Sequence, residues 1–171
     1  RFKYGITLDA AWKGFDFSIF MQGIGKRDLW LDGCYFWGAN GQGNEWQSTG
    51  FTEHWDFFRP EGDPLGANLD AYYPRVNFSG GRNTQVQTRY LQNGAYLRLK
   101  NVQLGYTLPR VWTEKAGISS VRVYLSGDNL ATITSLSKIF DPEATGSLAG
   151  TGSGKLYPLQ RVISVGVNIN F

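Results

Sequence analysis

Several ingredients of common protein classes are scarce in this 171-residue sequence. Cys34 is the only cysteine, which excludes a disulfide framework within the chain and a cysteine-based zinc site. His54 is the only histidine, so Ser-His or Cys-His chemistry has a single base to use. No segment approaches the roughly 18 consecutive apolar residues of a transmembrane helix. A helical membrane protein is therefore excluded, whereas a membrane β-barrel stays open because its polar and apolar residues alternate.

Charge and chain start add two further expectations. The net charge of +3 is too small and too dispersed to indicate nucleic-acid binding. A secretory signal peptide is absent, and the first residues already belong to an alternating run. We therefore expect the natural chain to begin upstream of Arg1.

Glycine and aromatic residues are abundant instead. The sequence holds 22 glycines and 15% aromatic residues without runs of strong helix formers, which favours β-structure. Apolar and polar residues alternate in RVISVGVNINF (161–171), which is typical of a strand with one apolar and one polar face. Similar runs predict five strands, at about residues 2–12, 15–23, 94–108, 119–132 and 161–171.

The connections between these strands are strongly unequal. Lys13-Gly14 and residues 109–118 are short connections at one end of the strands. The connections 24–93 and 133–160 are long, and both fall at the other end. Short turns on one side and long loops on the other are typical of an outer-membrane barrel. Trp12, Phe15 and Trp112 cluster at the short-turn end, where an aromatic girdle is expected. A soluble β-sandwich remains the alternative.

Five strands cannot close a barrel, since the smallest such barrels have eight. An open strand edge in lipid is not viable, because unpaired backbone groups there cost several kcal/mol each. We therefore predict that the chain is the C-terminal piece of a larger barrel.

The apolar parity switches near Asn101, which indicates either a β-bulge or a strand leaving its apolar surroundings. Without a bulge Arg98 and Lys100 reach headgroups; with one they turn into the lumen.

Several ordered motifs resemble one family. AYLRLKNVQLGYTLP (95–109), GISSVRVYLSGDNLATIT (117–134), DPEATG (141–146) and YPLQRVISVGVNINF (157–171) are similar to the C-terminal end of SusC/RagA-type TonB-dependent transporters. WKGFDFSIFMQG (12–23) and DAYYPR (70–75) extend the resemblance over nearly the whole chain.

The resemblance implies that residues 1–171 form the last five antiparallel strands of a 22-stranded transmembrane β-barrel. It also implies extracellular loops at 24–93 and 133–160, and a plug domain that this chain does not contain. Family members import glycan oligomers or peptides across the outer membrane of Gram-negative bacteria. They use energy relayed by the TonB complex through the N-terminal part, and a SusD-like surface lipoprotein covers the barrel. Because the sequence offers no catalytic or metal-binding constellation, we expect no enzyme activity, metal or cofactor.

Candidate site residues fall into three groups. Flat aromatic rings stack on sugars, so the long loop offers contacts to substrate or to the lipoprotein. The alternative is a hydrophobic centre that folds the loop onto itself or onto the lipoprotein. These contact candidates are Trp37, Trp46, Trp55, Tyr72, Tyr73 and Arg75. The lumen candidates are Arg122, Tyr124 and Asn168, because their neighbours take the apolar face. Phe171 resembles the terminal aromatic read by the barrel-assembly machinery, or is simply the last lipid-facing residue.

Two other motifs do not support catalysis. GSLAGTGSGKL (146–156) fails the phosphate-loop pattern, since Ala149 occupies the first glycine position and Leu156 replaces the Ser/Thr that binds Mg²⁺. His54 with Glu53 and Asp56 gives no defined metal-ligand set. Two alternative functions stay open: a soluble or surface β-domain that binds carbohydrate through its Trp-rich loop, and a barrel enzyme.

Overall fold

The computed structural model describes residues 2–40, 50–77, 81–145 and 157–171, and the chain divides into two compact units. The first, here called the sheet unit, comprises Arg1–Arg27, Gly94–Ser135 and Leu159–Phe171. The second, the loop unit, comprises Asp28–Asn93 and Leu136–Pro158. Among the described residues, no helix is long and apolar enough to cross a membrane.

The sheet unit is one antiparallel sheet of five strands, in the order β1 (Lys3–Trp12), β2 (Phe15–Ile24), β5 (Tyr96–Thr107), β6 (Ser120–Thr134) and β7 (Val162–Asn170). The prediction of five antiparallel strands is therefore confirmed. Each strand pairs with the strand that precedes or follows it in the sheet unit.

Remaining elements are short. The two-stranded sheet of the loop unit pairs β3 Asp28–Leu29 with β4 Gln92–Asn93. Single-turn α-helices are α1 Cys34–Trp37 in the loop unit and α2 Arg110–Thr113 in the connection between β5 and β6. The 3₁₀ turns are Thr52–Trp55, Thr88–Tyr90 and Glu114–Ala116.

The first hairpin turn has a sharply defined conformation. Lys13 and Gly14 both have positive φ, at 47° and 88°. Positive φ at both central residues defines the type I′ turn, whose twist matches that of the flanking strands. The Thr107 N–H donates to the Gly14 carbonyl at 2.7 Å, which ties the turn to β5.

The sheet has one apolar and one polar face. On β7 the odd-numbered side chains from Ile163 to Ile169 form an apolar row, in which Val165 is 75% exposed. The register places this row beside Val121, Val123 and Leu125 of β6. In water so many adjacent exposed apolar side chains are unusual for a soluble protein.

A β-bulge lies where the polarity of β5 switches. Phe20 of β2 pairs with Asn101, but the next residue, Met21, pairs with Leu99. Lys100 is therefore an extra residue in β5. Residues of equal parity before and after Lys100 lie on opposite faces of the sheet as a result. Of the two explanations for the switch of parity, the structure shows the bulge.

The loop unit has a hydrophobic core of its own. Seven buried apolar residues cluster there, and Phe36 and Leu31 are completely buried. Edge-on ring contacts join Phe36 to Trp37 at 4.9 Å and to Tyr73 at 5.8 Å between centroids. The full cluster consists of Leu31, Phe36, Trp37, Tyr73, Tyr90, Leu136 and Phe140. Both segments of the unit contribute, so the two long connections fold together.

Candidate functional site

An ion pair on the polar face of the sheet bridges three strands. Arg122 of β6 donates from Nε to Asp16 Oδ1 at 2.9 Å and from Nη2 to Asp16 Oδ2 at 2.5 Å, the bidentate arrangement of guanidinium and carboxylate. Since Asp16 belongs to β2, the guanidinium reaches across β5, where Gln103 Oε1 accepts a further bond from Nη2 at 3.2 Å. Both charged side chains are partly exposed, so solvent screens the pair and its contribution to stability is small.

Gly105 provides the space for this ion pair. It pairs in register with Asp16 on β2 and with Tyr124 on β6. A Cβ atom at position 105 would lie 2.5 Å from Asp16 Oδ1 and 2.6 Å from Arg122 Nη2. Any side chain at this position would push the two charged groups apart.

The lumen candidates share the same polar face. The guanidinium carbon of Arg122 lies 5.0 Å from the centre of the Tyr124 ring, within cation–π range. The Tyr124 ring in turn covers Gly166 of β7, where a Cβ atom would collide with it. Asn168 is the register partner of Arg122. The structure thus brings Arg122, Tyr124 and Asn168 together, and their lining of a lumen stays a prediction.

Arg98 also lies on the polar face. It pairs in register with Gln22 and Thr132, and its Nε donates to Thr132 Oγ1 at 2.8 Å. The side chain is only 4% exposed. Because Lys100 is an extra residue, Arg98 has the opposite orientation to Val102, although the two share a parity in the sequence.

Two of the predicted contact residues are buried in the loop unit. Trp37 is 3% and Tyr73 7% exposed, and both belong to the hydrophobic core. Trp55 is 61% exposed, and the guanidinium of Arg59 lies 5.8 Å from its ring centre. Of these three residues, only Trp55 presents its ring to solvent.

The other contact candidates lie nearer the surface or outside the described residues. Tyr72 is half-buried and its hydroxyl accepts a bond from Gln92 Nε2 at 2.6 Å. Burial raises the pKa of Tyr72 above its usual value, so the hydroxyl stays protonated. Arg75 is exposed. Trp46 lies outside the described residues. For every contact candidate, a role in binding substrate or lipoprotein stays a prediction.

His54 is held as a neutral side chain in the loop unit. The Phe51 N–H donates to its Nδ1 at 3.0 Å, so that nitrogen carries no proton. Its Nε2 lies 3.0 Å from the Phe36 carbonyl and therefore donates to it. Burial lowers the pKa of His54 below its usual value, against the opposing effects of the Phe36 carbonyl and of Glu53.

We expect the loop unit to lose stability as the pH falls below about 6.5, because the unfolded chain binds a proton at His54 more readily than the folded chain. The stabilising contribution is complete above the unfolded pKa and disappears as the pH falls through the folded pKa. Hydrogen exchange of residues 51–57, measured in the intact protein between pH 7.5 and pH 5 and corrected for intrinsic rates, checks this. A His54→Asn variant keeps an acceptor for Phe51 and should lose the pH dependence; an unchanged dependence in this variant contradicts the assignment.

Sequence reasoning missed two organising carboxylates. Asp16 lies between two phenylalanines and has a recognisable polar-face parity, but its partner depends on the register of three strands. Glu53 accepts a bond from Ser137 Oγ at 2.6 Å and another from the Lys138 N–H at 3.1 Å. Glu53 thereby joins the two segments of the loop unit, and no sequence signal links these distant positions.

No metal-binding cluster of three or more His, Cys, Asp or Glu side chains occurs within residues 2–40, 50–77, 81–145 and 157–171. Phe171 follows β7 directly, and its ring is 89% exposed.

The architecture matches a segment of β-barrel wall: long antiparallel strands, one exposed apolar face, one polar face with an ion pair, and long connections that leave from one end of the strands. No protein-family model matches the chain. Two receptors of Formosa agariphila are similar in sequence. TonB-dependent receptor P3 is 31% identical over 180 residues, covering 99% of this chain and 16% of the receptor. TonB-dependent receptor P26 is 28% identical over 178 residues, covering 98% and 17%.

Solved structures of a transporter are also similar to this chain. The RagAB peptide transporter matches with a TM-score of 0.72 and 28% identity, covering 98% of this chain and 17% of that chain. Its closed-closed state matches with a TM-score of 0.72 over 99% of this chain. The resemblance to the SusC/RagA-type TonB-dependent transporters is therefore confirmed. The chain matches a segment of these receptors and spans about one sixth of their length.

Proposed function

We propose that the chain is the C-terminal wall segment of an outer-membrane importer with a 22-stranded barrel. Its apolar face contacts lipid, and its polar face, with Arg122, Tyr124 and Asn168, lines the lumen. The observation that carries this proposal is the two-sided polarity of five adjacent strands. Along β1 the apolar face extends from Tyr4 to Trp12, about 27 Å at about 3.4 Å per residue, which suits the apolar band of a tilted barrel strand.

The loop unit takes the extracellular position in this proposal. The connections at 24–93 and 133–160 leave the sheet from one end, since Ile24, Tyr96 and Thr134 are aligned by the strand register. A SusD-like surface lipoprotein binds over this unit, and Trp55 and Arg75 are the exposed contact candidates. Phe171 contributes to the signal for barrel assembly.

Transport in this proposal is energised by the TonB complex. The rest of the barrel closes the wall, and the plug and the N-terminal part connect the importer to the TonB complex. The cargo is an oligosaccharide or a peptide, and the likeness to a peptide transporter supports the peptide. The chain catalyses no reaction and uses no cofactor.

The burial of Trp37 weakens the carbohydrate-binding alternative. A β-domain that binds sugars through a Trp-rich loop needs accessible rings, and Trp37 belongs to the hydrophobic core instead. Trp55 is the exposed tryptophan of the described part of the loop unit, with Trp30 partly buried against the core.

The test is the state of the natural protein in cells. The polypeptide ending in VNINF is extracted from the membrane fraction in detergent, its intact mass is measured, and co-eluting proteins and small molecules are identified. We expect a mass several times 19.1 kDa, a lipoprotein partner, and trapped peptides or glycans that identify the cargo. A 19.1 kDa chain that stays in solution without detergent and elutes alone would contradict the proposal.

A further inference from the structure

An aromatic row closes the apolar face at the short-turn end of the sheet. Trp12, Phe15 and Tyr106 lie side by side on three adjacent strands, aligned by the register. The rings of Phe15 and Tyr106 are 4.5 Å apart between centroids, and Trp12 is 70% exposed. Rings at this boundary mark the depth of lipid headgroups in membrane proteins.

Lys13, directly beside this row, occupies an unfavourable backbone conformation. Its φ of 47° lies in the left-handed region, which asparagine and glycine adopt far more readily than lysine. The bond from Thr107 to the Gly14 carbonyl holds the turn in place. A residue kept in a costly conformation at an exposed turn suggests a function for its side chain.

The Lys13 side chain is oriented towards the aromatic row and carries an available charge. Its ammonium lies 4.9 Å from the centre of the Trp12 ring. Asp16, just after the turn, is bound to Arg122, and Glu114 is bound to Arg110 at 3.4 Å. Among residues 2–40, 50–77, 81–145 and 157–171, the structure gives Lys13 no carboxylate partner.

We propose that Lys13 and Trp12 form a binding site for a phospholipid headgroup, with the lysine ammonium contacting the lipid phosphate and the indole ring packing at the headgroup level. Charge complementarity supports an anionic group, and the apolar row directly beside it supports attached acyl chains. The inference rests on the proposed function, since it requires the apolar face to lie in a membrane.

Binding of a short-chain phosphatidylglycerol to the full-length transporter in detergent tests this site. The bound fraction is measured by native mass spectrometry for the wild type and for Lys13→Asn, which suits the positive φ and removes the ammonium. We expect the variant to bind about fivefold more weakly. Lys115→Asn is the matched control, because Lys115 is exposed in the other connection at the same end of the sheet, and it should bind as the wild type does.

Each result is decisive for one of the two proposals. Equal binding by wild type and Lys13→Asn, or an equal loss in Lys115→Asn, overturns the headgroup site and leaves the barrel assignment intact. A full-length protein that stays soluble without detergent or lipid overturns the barrel assignment itself. Lys13→Arg keeps a cation and separates the loss of charge from a change in the turn conformation. Binding restored in Lys13→Arg relative to Lys13→Asn supports the role of the charge.

Discussion

Replacing Val165 by arginine is expected to lower the free energy of unfolding of the membrane-embedded protein by about 2–4 kcal/mol. Val165 lies in the middle of the apolar row of β7, with three quarters of its side chain exposed. In hydrocarbon the guanidinium loses its hydration and finds no partner, whereas in water the same change at an exposed site stays within about 0.5 kcal/mol. Denaturant titration of the full-length protein in lipid vesicles measures the difference.

Ser164→Arg is the matched control for this prediction. Ser164 is the preceding residue, on the polar face, and its register partner is Ser126. We expect its effect to stay below about 1 kcal/mol, because a water-filled lumen hydrates the charge. If the two arginines have equally small effects, the apolar face meets water and the sheet belongs to a soluble domain. The pair of variants therefore measures which medium covers each face.

Replacing Phe36 by alanine is expected to destabilise the loop unit by about 3–5 kcal/mol. Phe36 is completely buried, and its ring contacts those of Trp37, Tyr73, Tyr90 and Phe140. Its removal leaves a cavity that surrounding rigid rings fill poorly. Hydrogen exchange of residues 28–40 and 50–77 in the intact transporter should accelerate strongly, while exchange in β1 and β2 stays the same.

Trp55→Ala separates folding from binding in the same unit. The exposed indole contributes little to the core, so we expect hydrogen exchange close to that of the wild type. Loss of lipoprotein or cargo binding in this variant would identify Trp55 as a contact residue.

Unchanged hydrogen exchange in Phe36→Ala would contradict the preceding prediction, because it would show that the aromatic cluster does not hold the loop unit together.

Sequence alone predicted the strands well because their physical signal is local. Alternation along a strand such as β7 depends only on the pleat, and the Lys13-Gly14 turn has its own short signature. The orientation of Arg98 could not be derived, because a single extra residue at Lys100 puts residues of equal parity before and after it on opposite faces of the sheet. The face on which Arg98 lies depends on the hydrogen-bond register with β2, and the residue pattern of β5 does not specify that register.

The site was less predictable than the sheet. The parity of Arg122 was apparent from its valine neighbours, but its partner Asp16 is 106 residues away in the chain. The long connections were expected to be loops, although their tryptophans allowed a hydrophobic centre. The compact unit of Phe36, Leu136 and Phe140 depends on contacts between distant segments, for which neither period-2 nor helical patterns exist.

In the proposed importer, Gly105 and Gly166 affect the bore as well as the packing of the polar face. Over each glycine a neighbouring side chain lies close against the backbone: the Arg122–Asp16 pair over Gly105, and the Tyr124 ring over Gly166. Large polar groups therefore cover the wall without standing upright from it. At these two positions a passing molecule would meet a paired charge and a ring held close to the wall, and the usable diameter of the channel would be wider than its side-chain composition suggests.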